Sequence, residues 1–168
     1  MFESVLGVDP GVASLGLAVL TREGADCRIA WWENVRTPAD LAEPLRLLRL
    51  GEAVRAAIAD HAPSSMAMER VMWNRNVTSG MQVARASGVI LLAAAEAGLE
   101  VEEYGPLEVK MAATGSGTAP KEQVRAALAR YGIGEVPKQP DAADAVAVAY
   151  CHMQGARLRR AAKEAAAR

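Results

Sequence analysis

The chain has 168 residues, 51 % of them hydrophobic and 23 % charged, which is enough apolar material for one buried core and excludes a disordered or fibrous polymer. No apolar run is long and charge-free enough to span a bilayer and no basic-then-apolar leader opens the chain, so a cytoplasmic protein is expected. A net charge of −1 argues against a uniformly basic nucleic-acid binder, but it says nothing of how charge is distributed: "GARLRRAAKEAAAR" carries Arg157, Arg159, Arg160, Lys163 and Arg168 against Glu164 alone.

In chain order, residues 4–9 and 13–21 read as strands around a Pro10-Gly11 turn, and 26–34, "DCRIAWWEN", as a third, which together make an antiparallel meander. The period then changes. "LAEPLRLLRLGEAVRAAIADH" (41–61) spaces its apolar residues as a helix does, with Pro44 near its start, where a proline is tolerated. "SSMAMERV" (64–71) reads as a short strand, 77–97 as a long helix stopped by Gly98, and "LEVEEY" (99–104) as a further strand. A short helix around 107–113, a helix from Pro120 to Tyr131 and a last helix from Pro140 complete the pattern. Strand–helix–strand units add parallel strands to the meander, so the fold class is α/β: a mixed five-stranded sheet with helices on both faces.

Cys27 and Cys151 match no metal-ligand spacing, and neighbours such as Cys151 and His152 point to different faces of a helix, so neither zinc nor a disulfide is expected. The pair Trp31-Trp32 reads as sheet packing.

Four acids stand in more telling places. Asp9 ends the first strand, Glu69 lies late in an otherwise apolar strand, and Asp141 and Asp144 sit three apart on one face of the last helix's first turn. Taken singly, each has an ordinary structural reading: a turn residue, a strand-end acid reaching water, a helix N-cap, an acid at the positive end of a helix. Taken together, a first strand lying beside the strand of Glu69 would bring all four to one edge of the sheet. Four close carboxylates repel one another, and hard divalent cations relieve that repulsion. Two such ions support phosphodiester cleavage.

The segments "LGVDPGVASLGLAV", "MERVMWNRN", "GSGTAPKEQV" and "PDAADAVAVA" resemble, in order and spacing, the four signature segments of the RuvC family of Holliday junction resolvases. The resemblance covers about residues 3–153 and implies an RNase H-like nuclease domain over 1–153, with 154–168 left as a basic C-terminal tail, either a frayed helix or disordered. It implies a homodimer that nicks opposed strands of four-way junction DNA, two Mg2+ or Mn2+ ions per active site, and the branch-migration proteins RuvA and RuvB as partners, with no membrane. The family's acids carry over onto Asp9, Glu69, Asp141 and Asp144 as metal ligands, and its lysines onto Lys110 and Lys121. Where the family usually carries Phe as a base wedge, this chain has Met72 with Trp73 beside it, and either is an apolar wedge. Arg70, Arg75 and Arg85 are candidate phosphate contacts, and the small residues Gly80, Ala84, Ser87, Gly88 and Ala93 make the long helix a candidate dimer face.

Besides a nuclease for another branched or RNA-containing substrate on the same fold, two rivals differ in class. A catalytically silent module that binds branched DNA would gain nothing from repelling carboxylates next to phosphate. A sugar-kinase-like phosphotransferase needs a second domain for which the chain has no room.

Overall fold

A computed structural model describes residues 2–70 and 77–166. The elements follow in the order β1 (Phe2–Asp9), β2 (Ser14–Glu23), β3 (Asp26–Arg36), α1 (Glu43–His61), β4 (Ser65–Glu69), α2 (Val77–Glu96), β5 (Val101–Tyr104), α3 (Pro106–Thr114), α4 (Lys121–Arg130) and α5 (Pro140–Ala166). One sheet has the strand order β3-β2-β1-β4-β5. β1, β2 and β3 pair antiparallel, and β4 and β5 join in parallel, as the sequence pattern implies.

The alternation along β1 separates two cores. Val5 faces a layer that includes Tyr104, Val109, Val124, Leu128 and the apolar face of α5. Leu6 and Val8 face the other way, onto Leu50 and Val54 of α1 and Ala86, Ile90 and Ala93 of α2. Leu6, Leu17, Met66 and Met68 are fully buried in this second core. Each such side chain contributes roughly 1.5–3 kcal/mol of hydrophobic stabilisation. With helices covering both faces, the central strands can be apolar throughout.

α5 lies across β1 and β2 and reaches β4. Two glycines permit that approach. A Cβ on Gly7 would lie 2.1 Å from the Ala145 carbonyl oxygen, and one on Gly16 would lie 2.0 Å from that of Asp141. The first turn of α5 is thereby pressed against the ends of β1 and β2. The backbone of α5 continues as helix through Ala166, the helical of the two forms expected for the tail.

The tryptophan pair divides between two environments. Trp31 stacks on His61 of α1 with ring centroids 4.6 Å apart, whereas Trp32 is 38 % exposed, because neighbours on a strand face opposite sides. The Cys27 thiol donates to Met153 Sδ at 3.5 Å and the Cys151 thiol to the Glu108 carbonyl oxygen at 3.7 Å. Buried His152 meets the Tyr104 hydroxyl at 3.0 Å and the Ser65 hydroxyl at 3.2 Å, joining α5 to β4 and β5.

Candidate active site

The site forms at the strand ends where β1, β4 and α5 meet. In the parallel ladder Val8 is opposite Met68, so the next residues, Asp9 and Glu69, close the two strands side by side. On the other side Asp9 pairs with Gly16, and Gly16 with Asn34. Residues paired across strands share a face. Here that face is the one covered by the first turn of α5.

The loop after Asp9 is fixed from behind. The Thr37 hydroxyl donates to the Val12 carbonyl oxygen at 2.6 Å and accepts from the Arg46 guanidinium at 2.7 Å. The Thr37 N–H donates to the Ala13 carbonyl oxygen at 3.2 Å. This anchor ties the Pro10-Gly11 turn to α1 and limits the movement of Asp9.

Electrostatics mark this strand end. Burial pushes the Asp9 carboxyl up to about 8 from an ordinary 3.8, the negative charges of Glu69, Asp144 and Asp141 push the same way, and Lys121 opposes them. Burial and the Asp144 charge also raise Glu69, against the cations Lys121 and Lys110 and a hydrogen bond with Asp9. Both carboxyls are thus raised, chiefly by burial. Asp144 is paired with the Lys121 ammonium, and that contact holds Lys121 above its ordinary range. The Asp141 carboxylate accepts from the Ser14 hydroxyl, which itself accepts from the Asn34 amide at 2.7 Å.

Asp9, Glu69, Asp141, Asp144 and Lys121 thus come together from segments far apart in the chain, and Lys110, on α3, lies near enough to act on Glu69. Arg70 follows Glu69 directly and donates to the Glu103 carbonyl oxygen at 2.9 Å. Arg85 stands elsewhere, on α2, where both oxygens of Glu43 hold it at 2.8 and 3.0 Å. Met72, Trp73 and Arg75 lie outside the described residues. The sequence reading missed Ser14, Asn34 and the two close-contact glycines. Only the repeated small residue facing one helix, at Gly7 and Gly16, offered a signal.

Comparison with known proteins gives the family. A family model described as crossover junction endodeoxyribonuclease RuvC matches residues 5–152. The chain belongs to the RuvC family. Among relatives named crossover junction endodeoxyribonuclease RuvC, that of Moorella thermoacetica is 43 % identical over 98 % of this chain and 99 % of its own. That of Salinispora arenicola is 45 % identical over 89 % of this chain and 86 % of its own. The structure of T. thermophilus RuvC in complex with a Holliday junction substrate superposes with a TM-score of 0.87 at 34 % identity, covering 93 % of this chain and 96 % of that one. The yeast mitochondrial Holliday junction resolvase Ydc2, at 15 % identity and a TM-score of 0.59, shares the fold.

Dependence on a divalent metal goes with RuvC membership. The donor set fits such an ion in chemistry: all-oxygen, four carboxylates, one of them driven up to about 8 by burial and like charge. Among the described residues the acids are not gathered into a finished cage, because Asp141 is turned to Ser14 and Asp144 to Lys121. The Lys121 ammonium, held by Asp144 and acting on Asp9 and Glu69, meets part of the demand for positive charge. No described helix is long and apolar enough to cross a membrane.

Proposed function

We propose that this chain is a structure-specific endonuclease that resolves four-way DNA junctions by paired symmetric nicks, in recombination and DNA repair. The observation that carries the reading is the meeting of Asp9, Glu69, Asp141 and Asp144 at one strand end, with Asp9 pushed up to about 8, in a chain of the RuvC family. A binding module would lose affinity for phosphate by burying such charge and gain nothing in return.

In this reading Asp9, Glu69, Asp141 and Asp144 hold two Mg2+ or Mn2+ ions. Bound there, the ions supply the Lewis acidity that activates water and stabilises the leaving oxygen. Asp9 and Glu69, on rigid strand ends, fix the position of the cut; Asp141 and Asp144 complete the site from α5. Lys121, two-thirds exposed at the start of α4, offers its ammonium to a phosphate oxygen, and Lys110 offers a second cation beside Glu69. Each lowers the cost of bringing phosphate to a cluster of acids. Arg70 adds a phosphate contact next to Glu69, while Arg85 must exchange Glu43 for phosphate to do so. Met72 or Trp73 serves as the apolar wedge at the crossover, and Arg75 grips the backbone beside it.

Paired nicks need two sites, and α2 supports a homodimer through a face other than the expected stripe of small residues. Gly80, Ser87 and Ala93 are buried within the chain itself, whereas Met81, Leu91 and Leu92 stand exposed, 45 %, 38 % and 55 % accessible, with Gly88 also exposed. Family membership supports the remaining assignments, cytoplasmic work alongside RuvA and RuvB.

The test uses a synthetic four-way junction with a mobile core, compared with linear duplex, in Mg2+, Mn2+ and EDTA. Symmetric nicks that need metal and vanish in Asp9→Asn, with junction binding retained, are expected. Binding without nicking in either metal overturns the enzyme reading, and equal cleavage of linear duplex overturns the junction assignment.

A further inference from the structure

The geometry points to Ser14 and Asn34 as positioning residues for Asp141, a pair that aims this carboxylate without neutralising it. This rests on the proposed role of the four acids in holding a divalent cation.

Ser14 opens β2, and Asn34 lies on β3 opposite Gly16, the residue against which the Asp141 backbone is pressed. A hydroxyl has one proton to give. The Asn34 Nδ2 N–H points at a lone pair of Ser14 Oγ at 2.7 Å, so the Ser14 proton is committed to Asp141. The chain therefore has one direction, from amide to hydroxyl to carboxylate.

The amide's other end bears the cost of that orientation. Among the described residues, Asn34 Oδ1 is buried and has no hydrogen-bond partner. Leaving an acceptor unpaired is costly, so something must hold the amide this way round. The acids supply the reason: they favour the positive end of the amide dipole toward them, and a half-turn would aim Oδ1 at the cluster. That half-turn would also take the Ser14 proton for Asn34 and strip Asp141 of its donor. The field of the site thus maintains the geometry that orients one of its own members.

The contrast with Asp144 gives the pair its use. Asp144 is partnered by a cation, Lys121, which competes with any metal for its charge. Asp141 is partnered by a neutral hydroxyl, which does not compete with a cation. Partners that orient a ligand in this way typically change metal affinity by about 10- to 100-fold when removed.

The experiment titrates Mn2+ alone into the full-length protein by calorimetry and, separately, follows junction cleavage against Mn2+ concentration. Ser14→Ala is expected to weaken Mn2+ binding about tenfold and to raise the half-maximal Mn2+ concentration for cleavage by a similar factor. Ser14→Thr, which keeps a hydroxyl, restores both. Asn34→Asp, which draws the Ser14 proton away, reproduces the defect with the hydroxyl intact. Asp141→Ala separates the two levels of the argument. If it weakens Mn2+ binding and Ser14→Ala does not, the positioning role is wrong and the metal site stands. If Asp141→Ala leaves Mn2+ binding unchanged, the metal-holding role of Asp141 fails and the inference falls with it. A Ser14→Ala protein that melts lower without metal but binds Mn2+ as wild type does also overturns the proposal, since that is a structural role alone.

Discussion

Gly16 and Asp141 meet backbone to backbone: a Cβ on Gly16 would stand 2.0 Å from the Asp141 carbonyl oxygen. No side chain fits there, so α5 and its two acids sit where they do because β2 has a gap at this position. Gly16→Ala must push the start of α5 off the sheet. A destabilisation of about 1–3 kcal/mol or more is expected from overpacking, read as a lower denaturation midpoint. Cleavage should fall further than stability accounts for, because Asp141 and Asp144 move with the helix.

The acid pair predicts a pH dependence of stability. Asp9 has a folded-state value of about 8 against an ordinary 3.8, so the native state holds a proton that the unfolded chain releases. Between those limits the folded form binds more protons, and stability must fall as pH rises. The contribution is complete below about 3.8 and lost as pH climbs through about 8. Glu69, also raised and hydrogen-bonded to Asp9, shares the effect, so the slope belongs to the pair. In EDTA, melting temperatures of wild type should decline over that window more steeply than those of Asp9→Asn. Equal slopes would remove the buried-acid account. Mg2+ should raise the wild-type melting temperature most at the alkaline end, where both carboxyls are free to take it.

Lys121 separates stability from activity. Its pair with Asp144 is two-thirds exposed on the lysine side, and such a bridge contributes at most about 1 kcal/mol. Lys121→Ala should therefore melt within a few degrees of wild type. Its cleavage rate at saturating metal should nonetheless fall by about 100-fold, as when a group that stabilises developing charge is removed. Single-turnover kinetics on a pre-bound junction make the comparison.

The exposed apolar face of α2 predicts self-association. Leu92 is 55 % exposed, and Leu92→Glu places a charge on that face. Sedimentation should report a dimer for wild type and a monomer for Leu92→Glu, with the fold retained. The monomeric variant should lose paired nicking.

How much of this the sequence carries depends on the kind of contact. The five strands and five helices are legible because each has a strong period or a stop, such as Gly98 after α2. The acids are legible because charge at the end of an apolar run is costly and conspicuous. Ser14 and Asn34 are not: small polar residues at strand ends are common, and the Ser14–Asp141 contact spans 127 positions and exists only once the register is set. Gly16 reads as a weak strand residue until α5 is laid on it. Arg85 looks available for phosphate in sequence, but α1 brings Glu43 to it, a tertiary pairing that helix periodicity does not encode. Trp31 and Trp32 look alike in sequence and differ only because the strand alternates.

The most direct test of the central claim is cleavage of a supercoiled plasmid that extrudes a cruciform, with Mg2+, followed over time. Two coordinated nicks within one bound complex convert the circle to a linear product. A single nick releases supercoiling and lets the cruciform reabsorb, leaving a nicked circle. Linear product is expected from the earliest times, none in EDTA, and none from Asp9→Asn. Nicked circle alone, or linear product formed without metal, would contradict it.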